Sequence, residues 1–207
     1  MDFAAARRAM VDSQLRPQAV TDPLVIAAMA VVPREEFVPA DSRALAYIDR
    51  TLPIGHGRSL TPPATIGRML TELEPRPGER VLVIGAGTGY TAAVLAEMKL
   101  VVTAVECDER FAAPMAGITA VHGPLEKGAP TEAPFDLIVV DGAVEIIPDE
   151  LVEQLRPGGR LGACMIERGV PRLVTGRRSE HGFGVKSIAD AAAAPLPGFS
   201  KPKTFVF

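Results

Sequence analysis

Four consecutive apolar residues, Val81 to Ile84, run directly into the loop Gly85-Ala86-Gly87-Thr88-Gly89, and Tyr90 to Met98 then reads as a helix. An unbroken apolar run, with no polar alternation, belongs to a strand buried on both faces, and such strands occur in parallel sheets. The pattern continues downstream. Leu100 to Val105, Ile118 to Val121, Phe135 to Val140 and Arg160 to Met165 read as further strands. Helical stretches over Tyr90–Met98, Glu109–Met115 and Asp149–Leu155 lie between them, and Arg156-Pro157-Gly158-Gly159 reads as a turn. Alternating strands and helices predict an α/β fold, a doubly wound and mostly parallel sheet with helices on both faces. Leu173–Thr175, Val185–Ile188 and Thr204–Phe207 are candidate antiparallel strands at the end.

The first third has a different texture. Phe3 to Leu15 carries apolar residues at helical spacing, and Leu24 to Val32 is a second helix, capped by Thr21 or Asp22 with Pro23 in its first turn. Thr51 to Pro63 holds three prolines and two glycines and reads as loop, followed by a helix over Ala64–Leu73. The expected organisation is an N-terminal helical extension with a substrate loop over 1–78, packed on a Rossmann-like core over 79–207. Within 207 residues the 22 Lys and Arg are scattered and the formal net charge is −3, which argues against a nucleic-acid partner. No apolar run spans a bilayer, and Met1 to Arg8 lacks the apolar stretch of a secretory signal. Cys107 and Cys164 have neither metal-ligand nor redox spacing, so the expectation is no metal and a reducing, cytoplasmic setting. Nothing fixes an oligomeric state; a monomer is the default.

In open parallel sheets the ligand lies beyond the carboxyl ends of the strands, where the strand order reverses. Gly85, Gly87 and Gly89 allow a tight turn and close backbone approach there. Glu106, 21 positions after Gly85, closes the second strand and offers acceptors to both hydroxyls of a ribose. The spacing Gly-x-Gly-x-Gly lacks the third glycine of the dinucleotide fingerprint, which favours S-adenosylmethionine over a nicotinamide cofactor. The sheet is therefore expected to be of the S-adenosylmethionine-dependent methyltransferase type.

Several stretches resemble the protein-L-isoaspartate O-methyltransferases: ArgAlaMetValAspSerGlnLeu (8–15), AlaMetAlaValValProArgGluGluPheValPro (28–39), LeuProIleGlyHisGlyArgSerLeuThrProPro (52–63) and ValLeuValIleGlyAlaGlyThrGlyTyr (81–90). AlaProPheAspLeuIleValVal (133–140) and LeuArgProGlyGlyArgLeu (155–161) follow in the order of that family. The resemblance covers roughly residues 7 to 165, and ValProArgGluGluPheValPro is its most specific part. It implies methylation of the carboxylate of L-isoaspartyl residues in damaged proteins, a repair reaction, with protein or peptide acceptors. The resemblance also implies cofactor contacts from Gly85, Ala86, Gly87, Thr88, Gly89, Tyr90, Glu106, Gly123 and Asp141. Thr61 takes the place of the family's acceptor-loop serine, and Ser59 offers a second hydroxyl. Arg58, where the family has glutamine, is either a partner of the substrate carboxylate or a solvated loop residue, and His56 reads as a loop residue.

The chain departs from the family pattern at three points. Val83 stands where a glutamate usually lies in the first strand, Pro124 replaces the acid of a Gly-Asp-Gly turn, and Asp141-Gly142 opens a segment that differs throughout. Asp141 could face the cofactor or repel an anionic substrate. Two other readings remain on the same scaffold: methylation of a different carboxylate acceptor, and a non-catalytic binding protein.

Overall fold

The computed structural model describes residues 1–111 and 115–201. Its first helix, α1 (Phe3–Met10), starts where the Asp2 carboxylate accepts from the Ala5 amide at 2.9 Å. One π-helical turn, Val11–Leu15, continues it. Asp22 caps α2 (Pro23–Val31) by accepting from the Leu24 and Val25 amides, and Pro23 occupies the first position, where no intrahelical N–H is needed. Short 3-10 turns over Arg34–Phe37 and Ala40–Leu45 lead to a segment that the sequence marks as loop. There the structure instead forms an antiparallel hairpin, β1 (Leu52–Gly55) and β2 (Arg58–Leu60). Gly55, His56 and Gly57 all have positive φ, so the residues that read as breakers are those of the turn.

After α3 (Pro63–Leu73) the chain enters the main sheet. Its strands are β3 (Arg80–Ile84), β4 (Val101–Glu106), β5 (Ile118–His122), β6 (Phe135–Val144), β7 (Leu155–Glu167), β8 (Val170–Ser179) and β9 (Gly182–Asp190). The spatial order is β5-β4-β3-β6-β7-β8-β9. Pairing is parallel from β5 to β7 and antiparallel from β7 to β9. The α/β expectation holds. Strand order reverses between β3 and β6, because β4 and β5 are laid outward on one side of β3 and β6 and β7 on the other.

The alternation of strand side chains divides the core in two. Val81, Val83, Val102, Ala104, Leu137 and Val139 pack under α1, α2, α3 and α4 (Tyr90–Glu97), so the first 78 residues share one hydrophobic cluster with the sheet. Leu82, Ile84, Phe135, Ile138 and Val140 face the other way. That face is covered by Leu125, Leu151 of the one-turn α5 (Asp149–Val152), Leu196 and Phe199. Fully burying each such side chain contributes roughly 1.5–3 kcal/mol, which is why strands apolar on both faces need both layers. No helix among the described residues is long and apolar enough to cross a membrane.

Some boundaries differ from those read in the sequence. β6 runs four residues past Val140, because a register shift between Val139 and Ala143 lets Ala143 and Val144 pair with Cys164 and Met165. β7 absorbs the Arg156–Gly159 turn in the same way, with a shift opposite Phe135 and Leu137. The helix expected over Glu109–Met115 begins as a 3-10 turn, Glu109–Phe111; residues 112–114, like the strand expected over Thr204–Phe207, lie outside the described residues.

Candidate active site

β3 delivers its last apolar residue, Ile84, to the point of strand reversal, and the glycine loop begins there. The Gly85 and Ala86 amides donate to the Val105 carbonyl at 3.0 and 3.1 Å, which fastens the loop to the end of β4. Gly85, Gly87 and Gly89 have φ of +76°, +53° and +94°, conformations that a Cβ would strain. A Cβ at Gly85 would meet Leu196 at 2.9 Å and Arg58 at 3.1 Å, and one at Gly87 would meet Ile54 at 2.9 Å. The loop therefore has close neighbours on two sides: the β1–β2 hairpin and the C-terminal segment. That segment is tied down by the Ala143 amide donating to Ala194 and the Leu196 amide donating to Ala143, both at 2.8 Å.

Thr88 and Tyr90 face the N-terminal segment. The Thr88 hydroxyl donates to the Phe37 carbonyl at 2.6 Å. Tyr90 is fully buried, edge-on to Phe37 and under the Arg34 guanidinium at 4.6 Å. Gly123 is half-buried and donates its amide to the Glu106 carbonyl at 3.1 Å. Of the departures, Val83 is sealed in the core and Pro124 opens a 3-10 turn over Leu125–Lys127.

Glu106 stands at the mouth of the loop and is buried. Its carboxylate accepts from the Gly87 amide at 2.7 Å, from the Cys107 amide at 2.9 Å, from the Asp108 amide at 3.2 Å and from Nη1 of Arg58. Arg58 also donates through Nη2 to the Gly85 carbonyl at 3.0 Å, and it is 7% exposed. It is thus not a solvated loop residue, contrary to one of the two readings of the sequence, and in this structure its guanidinium is held by Glu106 and Gly85. The hairpin accounts for this: β2 turns alternate side chains inward, and Arg58 and Leu60 take the inward places. Ser59, between them, points to the opposite face, paired with Pro53.

Thr61 follows β2 and is buried. Its carbonyl accepts from Nη2 of Arg34 at 2.8 Å, and Nε of Arg34 donates to the Ala46 carbonyl at the same distance. Opposite, at the register shift within β6, Asp141 accepts from the Thr91 hydroxyl at 2.6 Å. Burial pushes the Asp141 carboxyl above the ordinary carboxylate range, while the nearby Thr61 hydroxyl, the Thr91 hydrogen bond and the charges of Arg34 and Arg58 pull it back. Oδ1 of Asp141, the Tyr90 hydroxyl and Nη1 of Arg34 are buried without protein partners. The structure brings Thr61, and not Ser59, to the Asp141 carboxyl. Sequence reading missed Arg34, whose only signal was its place in the Pro33-to-Pro39 block. His56 lies in the hairpin turn, edge-on to Phe111 at 5.9 Å. Burial pushes the Cys164 thiol up to about 12, which makes it inert at neutral pH.

The Asp141 environment has a consequence for stability. A carboxyl raised above its unfolded value, near 4, favours the protonated fold. That contribution is complete below the unfolded value and is lost as pH rises through the folded one. Asp141→Asn cannot ionise and escapes the loss. The stability of the variant relative to wild type should therefore climb between pH 4 and pH 8, by about 1.4 kcal/mol per unit of elevation. Urea unfolding across that range reads it, and parallel curves for the two proteins would show that Asp141 titrates normally.

The residues suit the S-adenosylmethionine expected from the sequence. The glycine loop offers close backbone approach and Glu106 offers acceptors for ribose hydroxyls, although Arg58 lies on both and Leu196 lies against Gly85. Comparison with known proteins agrees. The profile of the family "Protein-L-isoaspartate(D-aspartate) O-methyltransferase (PCMT)" matches residues 5–185. A protein-L-isoaspartate O-methyltransferase of Roseiflexus castenholzii is 39% identical, over 96% of this chain and 94% of its own. Protein-L-isoaspartate O-methyltransferase 1 of Rhodopseudomonas palustris is 43% identical, over 95% of this chain and 84% of its own. Among solved structures, a protein-L-isoaspartate O-methyltransferase superposes with a TM-score of 0.80 at 22% identity, over 93% of this chain and 66% of the other. A beta-aspartate methyltransferase (PCMT) structure from Plasmodium falciparum, in complex with S-adenosyl-L-homocysteine, gives 0.77 at 20% identity, over 92% and 97%. At those identities the two structures speak for the fold. The profile and the curated relatives settle the family: this chain belongs to the protein-L-isoaspartate(D-aspartate) O-methyltransferases.

Proposed function

We propose that this chain transfers the methyl group of S-adenosylmethionine to the carboxylate of L-isoaspartyl residues in damaged proteins and peptides. The family match over residues 5–185 carries the reading, because it spans both the glycine loop and the acceptor hairpin. The site adds chemical sense. The cofactor supplies a methyl carbon that its sulfonium already makes electrophilic. The acceptor carboxylate is ionised at neutral pH, with a reference value near 4. Its oxygen forms the new bond as the carbon–sulfur bond breaks, so no proton moves and no general base is needed.

What remains for the protein is alignment and exclusion of water. Glu106 and the loop Gly85–Gly89 hold the nucleoside end, with Ala86, Thr88 and Tyr90 keeping that loop in shape and Gly123 closing the adenine side. Thr61 turns its one hydroxyl proton from Asp141 to an acceptor oxygen, and Asp141, whose protonated form burial favours, can then donate to the Thr61 oxygen. Ser59, on the outer face of β2, serves the approaching peptide. In this reading residues 1–78 are the acceptor-side extension and 79–207 the cofactor core. Cytoplasmic residence, a monomer, and no nucleic-acid or membrane partner fit the scattered charge and the two free cysteines.

The test is methyl transfer to an isoaspartyl peptide, with the aspartyl peptide as control and S-adenosylhomocysteine as readout. Transfer to the isoaspartyl peptide alone is expected. Thr61→Val should lower kcat/KM roughly 10- to 100-fold, the scale of one hydrogen bond to a charged group. Absence of transfer, or equal transfer to both peptides, would sink the assignment. The buried carboxyl at Asp141 favours one second reading, an acceptor of different shape. Transfer to a free small carboxylic acid but not to the peptide would establish it.

A further inference from the structure

Arg58 spans both elements that the cofactor needs. One guanidinium arm lies on Glu106 and the other donates to the Gly85 carbonyl at 3.0 Å. Oε1 of Glu106 already accepts from the Cys107 and Asp108 amides, and Oε2 from Gly87. Two carboxylate oxygens offer about four acceptor positions. The three backbone donors are fixed by the fold; Oε2 carries Gly87 alone and has room for one ribose hydroxyl, whereas Oε1 is crowded and takes the second only when Arg58 leaves it. Of the side-chain donors on Glu106, Arg58 is the charged one; the other is the weak Cys107 thiol at 3.4 Å.

A displaced guanidinium needs a new counter-ion. Arg58 is nearly buried, and an unpaired charge in such a place is costly. It also stands three positions before Thr61 on the same hairpin, the side of the cleft assigned to the acceptor. Its planar fork matches a carboxylate in two-point fashion, as a lysine would not.

We propose that Arg58 competes with the cofactor's ribose for Glu106, and that the displaced guanidinium becomes the counter-ion of the acceptor carboxylate. The inference rests on the methyl-transfer reading above and extends it to coupling between the two ligands. Cofactor binding frees the residue that the acceptor needs, so each ligand tightens the other by the same factor.

Labelled S-adenosylhomocysteine in equilibrium dialysis tests this without turnover, with and without a saturating isoaspartyl peptide. In the wild-type chain the peptide should tighten S-adenosylhomocysteine roughly five-fold or more. Arg58→Gln removes the competitor. It should bind S-adenosylhomocysteine alone about ten-fold more tightly, and the peptide effect should fall to about one. Unchanged or weaker S-adenosylhomocysteine binding by Arg58→Gln, or a peptide effect that survives in it, would overturn the proposal. If Arg58→Gln melts below the assay temperature, Arg58→Lys carries the test. The shorter lysine lacks the rigid two-point fork that holds Glu106 and the Gly85 carbonyl, so it competes less well, binding should again tighten, and unchanged affinity overturns the idea. The two readings fail separately. A wild-type chain that methylates the peptide without any coupling leaves the activity standing and removes the role of Arg58. A chain that binds S-adenosylhomocysteine but transfers nothing removes the activity and the acceptor half with it.

Discussion

Glu106→Ala is expected to abolish measurable S-adenosylhomocysteine binding and to lower the stability of the fold by about 3–5 kcal/mol, the cost of leaving a buried charge without its partner. The two effects have one origin. The carboxylate gathers Arg58 and the amides of Gly87, Cys107 and Asp108 at the junction of β4 with the glycine loop. Alanine takes that acceptor from Arg58 and the three amides, and leaves Arg58 only the Gly85 carbonyl. Loss of two hydrogen bonds from the ribose would by itself weaken binding a hundred-fold or more. Urea unfolding gives the first quantity and equilibrium dialysis the second. A stability loss under about 1 kcal/mol would mean that Arg58 reaches water once released, and the pair would then resemble a surface ion pair in energy. The double variant Arg58→Gln with Glu106→Ala separates the terms. If the buried guanidinium is the main cost, the double variant is more stable than Glu106→Ala alone.

How far the sequence carries to this site depends on the kind of residue. β3, the loop and Glu106 were legible because their signals are local: an apolar run, three glycines and an acid at the next strand end. Arg58 was not, since nothing around it in the sequence shows that a two-residue turn at His56-Gly57 swings it onto Glu106, 48 positions away. Prolines and glycines gave the right punctuation for the segment 51–63 but hid a hairpin only four and three residues long. The C-terminal segment was opaque for a related reason. Residues 191–200 form no named helix or strand, and the Leu196 amide is held by the Ala143 carbonyl, a long-range contact with no periodicity to betray it. The last two strands were sensed at their centres and underestimated in length, because β9 is largely exposed and lacks an apolar run.

Arg34 raises the same problem and yields the second large effect. It comes from a 3-10 turn of the N-terminal extension, is fully buried, and holds the Ala46 and Thr61 carbonyls while lying over the Tyr90 ring. One side chain thus joins the helical extension, Thr61 and the first turn of α4. Arg34→Ala removes two charge-assisted bonds, leaves two buried carbonyls unpaired and opens a cavity against Tyr90. A loss of about 3–5 kcal/mol is expected, the range for large-to-small core changes and broken buried networks. Transfer to the isoaspartyl peptide should fall as well, because Thr61 loses the anchor of its backbone. Arg34→Met divides the two roles. Methionine keeps most of the apolar contact with Tyr90 and carries no buried charge, so it should recover much of the stability. It cannot hold the Thr61 carbonyl, so transfer should stay low in a folded protein. Recovery of both would reduce Arg34 to a space-filling residue. Recovery of neither would locate its contribution in the carbonyl bonds alone. The expected split, a stable variant with poor transfer, would tie the block from Pro33 to Pro39 to the reaction through a single guanidinium.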